Sequence, residues 1–173
     1  MKLITYFVFA LFLFSYGCKD ALVHSEKQDV IDPNDSIFIV QKGPYHFSMR
    51  LPKNLVNSSL PIILFKEQTG ELIVSLNERI SFIVTQELLS LKQEINRMEE
   101  QGEDIFKVEI VESKESSLLY KTYLPDNTPV SYQFKSVIDD TRLPYLMRTD
   151  ATKKYNLEDV NVVAKIAQSV SPL

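Results

Sequence analysis

Few side chains in this sequence could carry out acid–base or nucleophilic chemistry. The chain has two histidines, His24 and His46, and one cysteine, Cys18. His24 lies in a polar stretch and His46 on the polar side of an alternating segment, so we expect both at the surface rather than beside a nucleophile. The adjacent carboxylates Asp139 and Asp140 could act as a general acid and base, but neighbouring side chains on a turn point apart. We therefore predict no catalytic residues and expect that the protein is not an enzyme.

Metal, nucleotide and nucleic-acid sites also lack the residues that they require. Two histidines and one cysteine are too few for a multi-histidine or multi-cysteine metal centre. With only 4 Gly, the chain contains neither GxGxxG nor GxxxxGK[ST], so a phosphate-binding loop is not expected. The formal net charge is -4, whereas nucleic-acid-binding domains carry a clustered basic face. We predict no metal, no cofactor and no nucleic-acid partner.

Two further groups of side chains could contribute to binding. Four carboxylates cluster where the first predicted helix ends and oppose the helix dipole there, which favours a solvated helix end, with a cation or basic partner as the alternative. They are Glu99, Glu100, Glu103 and Asp104. Four tyrosines in the later strands either belong to the core, with hydrogen-bonded hydroxyls, or form an aromatic-lined surface if one sheet face is uncovered. They are Tyr120, Tyr123, Tyr132 and Tyr145.

The N-terminus has the pattern of a secretory leader. Lys2 precedes a nearly unbroken apolar run over residues 3–14, after which polar residues begin. A membrane-spanning helix needs about 20 apolar residues, whereas the apolar region of a signal peptide needs about 7–15. We therefore predict a signal peptide over residues 1–17. Ser15-Tyr16-Gly17 is a small-x-small pattern that ordinary signal peptidase could cleave, which would leave Cys18 as a free N-terminal residue.

Gly17 and Cys18 also resemble the end of the bacterial lipobox. In that family of signals a diacylglycerol is attached to the cysteine sulfur, and cleavage follows between the glycine and the cysteine. Ser15 and Tyr16 differ from the residues preferred at the two preceding positions. The resemblance implies a lipoprotein held in the bilayer of a bacterial cell envelope by acylated Cys18, since two or three acyl chains anchor a protein stably.

The residues after the cysteine bear on which membrane is involved. Lys19-Asp20 is similar to the Lys-acidic export signal of some surface lipoproteins, so the outer membrane is favoured, with the periplasmic and outward-facing orientations both open. Residues 18–36 are polar and mixed in charge, which predicts a lipidated N-terminus and flexible tether with a span of about 25 Å. Residues 37–173 show no shift in composition and no internal repeat, so we predict a single domain there.

The first half of this domain is expected to contain strands and one helix. Apolar and polar residues alternate over residues 45–52, as in a half-buried strand. The other strands predicted here are residues 36–40, a hairpin around a Gln-Thr-Gly turn at 68–70, and residues 79–84. Thr85 is expected to cap the helix that follows. Its apolar stripe would consist of Leu88, Leu91, Ile95 and Met98, with Gly102 at the C-terminal end.

The second half is expected to contain further strands and a terminal helix. Strands are predicted over residues 105–112, 116–125, 129–138 and 143–149, with a turn at Asp126-Asn127-Thr128. Asn156 and Asp159 form a pair like a capping box at the start of the last helix. One face of that helix would consist of Leu157, Val160, Val163, Ala164, Ala167 and Val170, and Pro172 would end it.

This order of elements predicts an α+β fold. Consecutive hairpins imply an antiparallel sheet of about six or seven strands, and each amphipathic helix must cover its apolar stripe against a sheet face. The segments YHFSMRLP, SFIVTQE and LEDVNVVAKIAQSVSP, in this order, resemble the PsbP-like fold, an α/β/α-type sandwich. That resemblance implies a non-catalytic accessory or protein-binding module with an envelope protein partner. The Phe- and Tyr-rich strands leave a carrier or sensor of a small apolar ligand, bound between sheet and helices, as the alternative.

Overall fold

The structure analysed is a computed structural model of the chain. It describes residues 35–55, 61–87, 90–101, 106–139 and 143–173. The predicted signal peptide, Gly17, Cys18 and most of the predicted tether therefore lie outside the described residues. Residues 32–173 form one compact unit. Within the described ranges, neither helix has the length and apolar character that a bilayer crossing requires.

The described residues of this unit form ten strands and two helices. In the first half these are β1 (Asp35–Lys42), β2 (Tyr45–Pro52), β3 (Ile62–Lys66), β4 (Glu71–Ser75), β5 (Ser81–Gln86) and α1 (Leu91–Gln101). In the second half they are β6 (Lys107–Ser113), β7 (Ser117–Tyr123), β8 (Pro129–Ile138), β9 (Tyr145–Thr149), α2 (Leu157–Gln168) and β10 (Ser171–Pro172). The predicted α+β class is confirmed.

Seven strands form one antiparallel sheet in the order β3-β4-β5-β9-β8-β7-β6. The predicted hairpins are present as β3–β4 and β7–β8. At the β7–β8 turn Asn127 has a φ of 67°, and the Thr128 backbone N–H donates to the Asp126 carboxylate over 2.9 Å. The pairing of β5 with β9 joins the two halves of the chain.

A second, three-stranded antiparallel sheet in the order β1-β2-β10 was not predicted. The last helix was expected to continue to Pro172, but it ends at Gln168, and Ser171–Pro172 pairs with β2. The Ser169 hydroxyl explains the change of direction, because it donates to the Ile166 carbonyl over 2.7 Å and accepts from the Arg50 backbone N–H over 2.9 Å. The chain thus leaves the helix beside the open edge of β2.

The core lies between the two sheets and is completed by α2. Tyr145 of the large sheet packs against two aromatic residues of β2, with ring centroids 5.7 Å from Tyr45 and 5.5 Å from Phe47. All three side chains are buried. The alternation in β2 is as predicted, since Tyr45, Phe47, Met49 and Leu51 are the buried residues of that strand.

The start of α2 confirms the predicted capping box. The Asn156 side chain accepts a hydrogen bond from the Asp159 backbone N–H over 2.8 Å, and the Asp159 carboxylate accepts one from the Asn156 backbone. The predicted buried face is wrong at Leu157, which is 42% exposed in the first turn, and it omitted Ile166, which is buried. The face turned to the core runs along residues 160, 163, 166 and 167.

The predicted start of α1 is wrong. Thr85 is not a helix cap but part of β5, because that strand continues its pairing with β9 as far as Gln86, opposite Tyr145. The helix begins six residues after Thr85, at Leu91, and the Ser90 hydroxyl accepts from the Gln93 backbone N–H over 3.4 Å. Leu88 and Gly102 lie outside the described residues.

Three strands begin two residues later than predicted, at Ser81, Lys107 and Tyr145. Residues 79 and 80 belong to a turn, where the Asn77 side chain accepts from the backbone N–H groups of Arg79 and Ile80 over 2.9 and 2.8 Å. Phe106 and Leu143 precede their strands and are 45% and 43% exposed. An apolar residue next to a strand therefore does not by itself extend the strand.

Candidate functional site

A cleft of about 300 Å³ lies between α1 and the face of the seven-stranded sheet opposite the core. Along the central strands, side chains alternate between the two faces. Leu119, Phe134 and Met147 point to the core, so their neighbours in sequence point to the cleft. The described lining residues are Glu87, Glu94, Arg97, Tyr120, Gln133, Lys135, Leu146, Arg148, Thr149 and Ala151.

A buried carboxylate occupies one wall of this cleft. Glu94, on α1, has a side chain that is only 3% exposed. Its Oε1 contacts the ammonium group of Lys135 on β8, and its Oε2 lies 2.6 Å from the Arg97 guanidinium one turn along the helix. The ion pair with Lys135 fastens α1 to the sheet.

The charge state of Glu94 follows from two opposing effects. Burial, the largest single effect, disfavours the carboxylate and by itself would raise the pKa. The hydrogen bonds and positive charges of Lys135 and Arg97 together outweigh it and hold the pKa of Glu94 below its ordinary value. The group is therefore ionised at neutral pH and is balanced by two cations.

Arg148 supplies a third cation to the cleft. It lies on β9, and its guanidinium donates to the Glu71 carboxylate on β4 over 2.8 Å. The contact reaches across β5, opposite Ile83. The Arg148 side chain is 28% exposed, so this pair is partly open to solvent.

A chain of hydrogen bonds supports the floor of the cleft. The Thr149 hydroxyl donates to the Gln133 side-chain oxygen over 2.6 Å, and the Gln133 amide donates to the Ser131 hydroxyl over 3.1 Å. That hydroxyl also accepts from the Tyr155 backbone N–H over 2.9 Å. All four residues are buried. A buried, fully paired network of this kind holds its members in one arrangement.

Tyr120 completes the described wall formed by β7. Burial, with a further contribution from the negative charge of Glu94, raises the pKa of Tyr120 to about 12. The hydroxyl therefore remains protonated at neutral pH and is available as a donor. The Lys135 ammonium lies 5.9 Å from the centroid of the Tyr120 ring, which is within the range of a cation–π contact.

These groups can bind a polar ligand group. The described lining contains donors on Arg97, Lys135, Arg148 and Tyr120, and acceptors on Glu87 and Glu94. It includes neither a histidine nor a cysteine. In the part of the chain that the structure describes, no group of three or more His, Cys, Asp or Glu side chains is placed to hold a metal ion.

The residues considered from the sequence are dispersed. His46 is exposed on β2 and Asp139 is exposed after β8, and neither lines the cleft. Asp140, Glu103, Asp104 and the side chains of Glu99 and Glu100 lie outside the described residues.

The four tyrosines have three different roles. Tyr145 is a core residue, and Tyr120 lines the cleft. Tyr123 and Tyr132 lie on either side of Lys121, whose ammonium is 4.6 and 5.3 Å from their ring centroids. The Tyr123 hydroxyl donates to the Glu109 carboxylate.

The central ion pair was missed from the sequence. Glu94 falls within the predicted apolar stripe of the helix, between Leu91 and Ile95, and this departure was the available signal. Lys135 gives no such signal, because it belongs to the polar side of an alternating strand, with Ser131 and Gln133. The departure at Glu94 does not identify its partner, because the two residues are 41 positions apart.

Comparison with known proteins gives no family for this chain. No protein-family model matches it, and neither a curated protein nor a solved structure is detectably similar to it. The functional assignment therefore has to be argued from the sequence patterns and from the geometry of the cleft.

Proposed function

We propose that this protein is a bacterial envelope lipoprotein, anchored through acylated Cys18, that works as a non-catalytic accessory module and binds an envelope protein partner. Gly17-Cys18 supports the anchor, and the outer membrane remains the favoured location. The PsbP-like resemblance and the few groups suited to catalysis support an accessory role. The cleft beside α1 is the proposed binding site.

The observation that carries the binding role is the buried Glu94–Lys135 ion pair on the wall of an open cleft. A buried ion pair is weak evidence for stability, because well-packed apolar residues of similar volume often serve equally well or better. Charges held in fixed positions beside an accessible cleft, however, suit the recognition of a polar group. We therefore assign the pair a role in recognition as well as in holding α1.

The composition of the lining favours a polar partner group over the small apolar ligand of the alternative hypothesis. Leu146 is the one large aliphatic side chain among the described lining residues. Typical sites for small apolar ligands are lined mainly by hydrophobic and aromatic side chains. A carrier function remains a prediction from the strand composition and has no support from this cleft.

The anchor is tested by metabolic labelling with an alkyne fatty acid in a bacterial host. We expect the wild-type protein to be labelled and to sediment with membranes. The Cys18→Ala variant is expected to lose both properties. Because Cys18 is the only cysteine in the chain, labelling that persists in this variant would overturn the assignment.

The binding role is tested by site-specific photo-crosslinking in intact cells. A photoreactive residue at Ala151, an exposed position on the cleft lining, is expected to form an adduct with an envelope protein. The same probe at Glu115, exposed between β6 and β7, serves as the positional control.

Two matched charge reversals show whether such an adduct depends on the cleft. Glu87 and Glu78 are both exposed, but only Glu87 belongs to the described lining. Glu87→Lys should reduce the adduct several-fold and Glu78→Lys should leave it unchanged. Equal adducts at both probe positions, or insensitivity to Glu87→Lys, would count against the cleft as the binding site.

A further inference from the structure

The outer surface of the three-stranded sheet carries several exposed aliphatic side chains. Ile37 and Ile39 of β1 are 67% and 58% exposed, and Leu173, just after β10, is 65% exposed. In β1, Phe38 and Val40 turn toward the core, so Ile37 and Ile39 turn outward. The Leu173 backbone N–H donates to the His46 carbonyl over 3.1 Å, which continues the pairing of β10 with β2.

The register places these side chains on one surface. Ile37 pairs with Arg50 and Ile39 with Ser48, and Ser48 pairs in turn with Ser171. With strands about 4.8 Å apart, Ile39 lies two strand spacings, about 10 Å, from Ser171 across the sheet, and Leu173 lies two residues farther along the chain. We call this surface the outer β1–β2–β10 face.

A basic side chain lies among these aliphatic ones. Arg50 projects from β2 on the outer side, where it pairs with Ile37. Asp35, at the start of β1, belongs to the same side as Ile37 and Ile39. The outer face is therefore mainly aliphatic, with Arg50 and Asp35 beside the aliphatic residues.

The proposed acylation site at Cys18 is close in sequence to the first strand of this face. Asp35, where β1 begins, lies 17 positions after Cys18. The tether predicted from the sequence has a root-mean-square span of about 25 Å. The strand that carries Ile37 and Ile39 is thus the first described element after the proposed acylation site.

We propose that the outer β1–β2–β10 face rests on the surface of the lipid bilayer into which the acyl chains of Cys18 insert. This inference rests on the proposed function, because it needs the anchor. Aliphatic side chains of an interfacial surface enter the boundary between headgroups and acyl chains. A basic side chain beside them, here Arg50, lies near anionic headgroups.

The proposal also orients the cleft. The three-stranded sheet covers the core face of the seven-stranded sheet, whereas α1 and the cleft lie on its opposite face. With the outer β1–β2–β10 face on the bilayer, the cleft is directed away from the membrane. A partner protein can then reach Arg97 and Arg148 without competing with lipid.

The experiment uses the full-length, acylated protein reconstituted in phosphatidylethanolamine–phosphatidylglycerol vesicles that contain brominated lipid. Because the native cysteine is acylated on its sulfur, one introduced cysteine can be labelled selectively with a fluorophore. The test position is Ile39→Cys. The matched control is Leu64→Cys, an aliphatic residue of similar exposure, 53%, on the cleft side of β3.

We expect brominated lipid to quench the label at position 39 at least about threefold more than the label at position 64, because an interfacial face lies about 5–10 Å into the boundary region. A label at Leu173→Cys should behave like that at position 39. Equal quenching at positions 39 and 64 would overturn the proposal. Protection of position 39 without quenching, together with Ile39→Cys disulfide dimers, would assign the face to a second copy of the chain and also overturn it.

Fatty-acid labelling of the same preparations separates the two ideas. An unlabelled protein means that the anchor, and with it the proposed function, has failed. An acylated protein whose position 39 is not quenched means that only the orientation on the bilayer has failed.

Discussion

The two faces of the seven-stranded sheet are built by the same alternating strands but differ in what covers them. The core face is covered by a second sheet and by α2, and its side chains, such as Phe82, Phe134 and Met147, are buried and apolar. The cleft face is covered only in part by α1 and carries Lys135 and Arg148 at the corresponding central positions. The core face therefore provides stability through burial, and the cleft face adds charges in fixed positions to its own buried aliphatic residues, Ile83, Leu118 and Leu146.

The two helices are held on the sheet in different ways. Among the side chains described in α1, Leu91 and Glu94 are buried, whereas α2 buries four apolar residues. The ion pair between Glu94 and Lys135 contributes to holding α1 on the sheet. Four predictions test this contrast, and they follow in order of decreasing expected effect.

Truncating an aromatic residue on the core side should have the largest effect. Phe47→Ala removes a buried ring that packs on Tyr145, and we expect the free energy of unfolding to fall by about 3–5 kcal/mol. Urea denaturation at equilibrium measures it. The matched change Leu64→Ala, at a position 53% exposed on the other face, should alter stability by no more than about 0.5 kcal/mol. Similar losses for both variants would contradict the assignment of the core.

Breaking the buried ion pair should have the next largest effect. Lys135→Met leaves the Glu94 carboxylate with Arg97 alone, and we expect a loss of about 2–3 kcal/mol, since an uncompensated buried charge is costly. The double variant Glu94→Gln/Lys135→Met should recover part of this loss.

An exposed ion pair provides the control for that experiment. Lys114 and Glu112 lie 2.9 Å apart with side chains 55% and 53% exposed, so Lys114→Met should change stability by less than about 0.5 kcal/mol. If the losses of Glu94→Gln and Lys135→Met simply add in the double variant, the two residues are not coupled as described.

Substitution of two glycines by alanine distinguishes the cost of a steric contact between the sheets from the cost of backbone strain. Gly43 and Gly70 have φ values of 57° and 67°, so alanine is strained at either position. A Cβ at Gly43 would lie 2.8 Å from Phe65 Cε1, whereas at Gly70 nothing lies within 4 Å. We expect Gly70→Ala to cost about 1 kcal/mol and Gly43→Ala about 2 kcal/mol, measured by thermal or urea unfolding. Equal losses of stability for the two variants would mean that the Phe65 ring can move away from the added methyl group at no cost in free energy.

Acid titration should reveal a smaller contribution from the cleft side. The pKa of Glu94 in the folded protein is below its ordinary value of 4.5, so on acidification the unfolded chain takes up this proton first. The stabilisation is therefore present above about pH 4.5 and is lost as the pH falls through the lowered pKa of the folded state.

The measurement is the urea midpoint between pH 6 and pH 3 for the wild type and for Glu94→Gln. The variant should be less stable near neutrality and should lose less stability on acidification than the wild type. Parallel profiles for the two proteins would show that Glu94 does not contribute in this way.

Local patterns predicted most of the individual elements. The alternation in residues 45–52, the turn at 126–128 and the Asn156–Asp159 cap each depend on interactions within a few residues, and each is present. Thr85 was misassigned because a β-branched residue after a strand suits both a cap and one more strand position. Only the pairing of Gln86 with Tyr145 decides between them.

The candidate site was much less predictable than the fold class. Tyr120 was one of four tyrosines under consideration, and no local feature distinguished it from Tyr145, which belongs to the core. Glu94 stood within an apolar stripe, whereas Lys135 stood on the polar side of an alternating strand. A charged residue in such a pattern can be solvated at an edge or paired in the interior, and the choice depends on a residue distant in sequence.

The sequence by itself determined the α+β class, the antiparallel hairpins and the prediction of a lipid anchor at Cys18, because these follow from periodicity, turn residues and a short motif. The tertiary structure decided that β1, β2 and β10 form a sheet of their own and that Glu94 meets Lys135. It also decided which side of the large sheet carries the cleft. A period of two residues states which side chains share a face of a strand, but it does not state which strands pair or what covers each face. Those outcomes depend on contacts between distant segments, which the folded chain alone brings together.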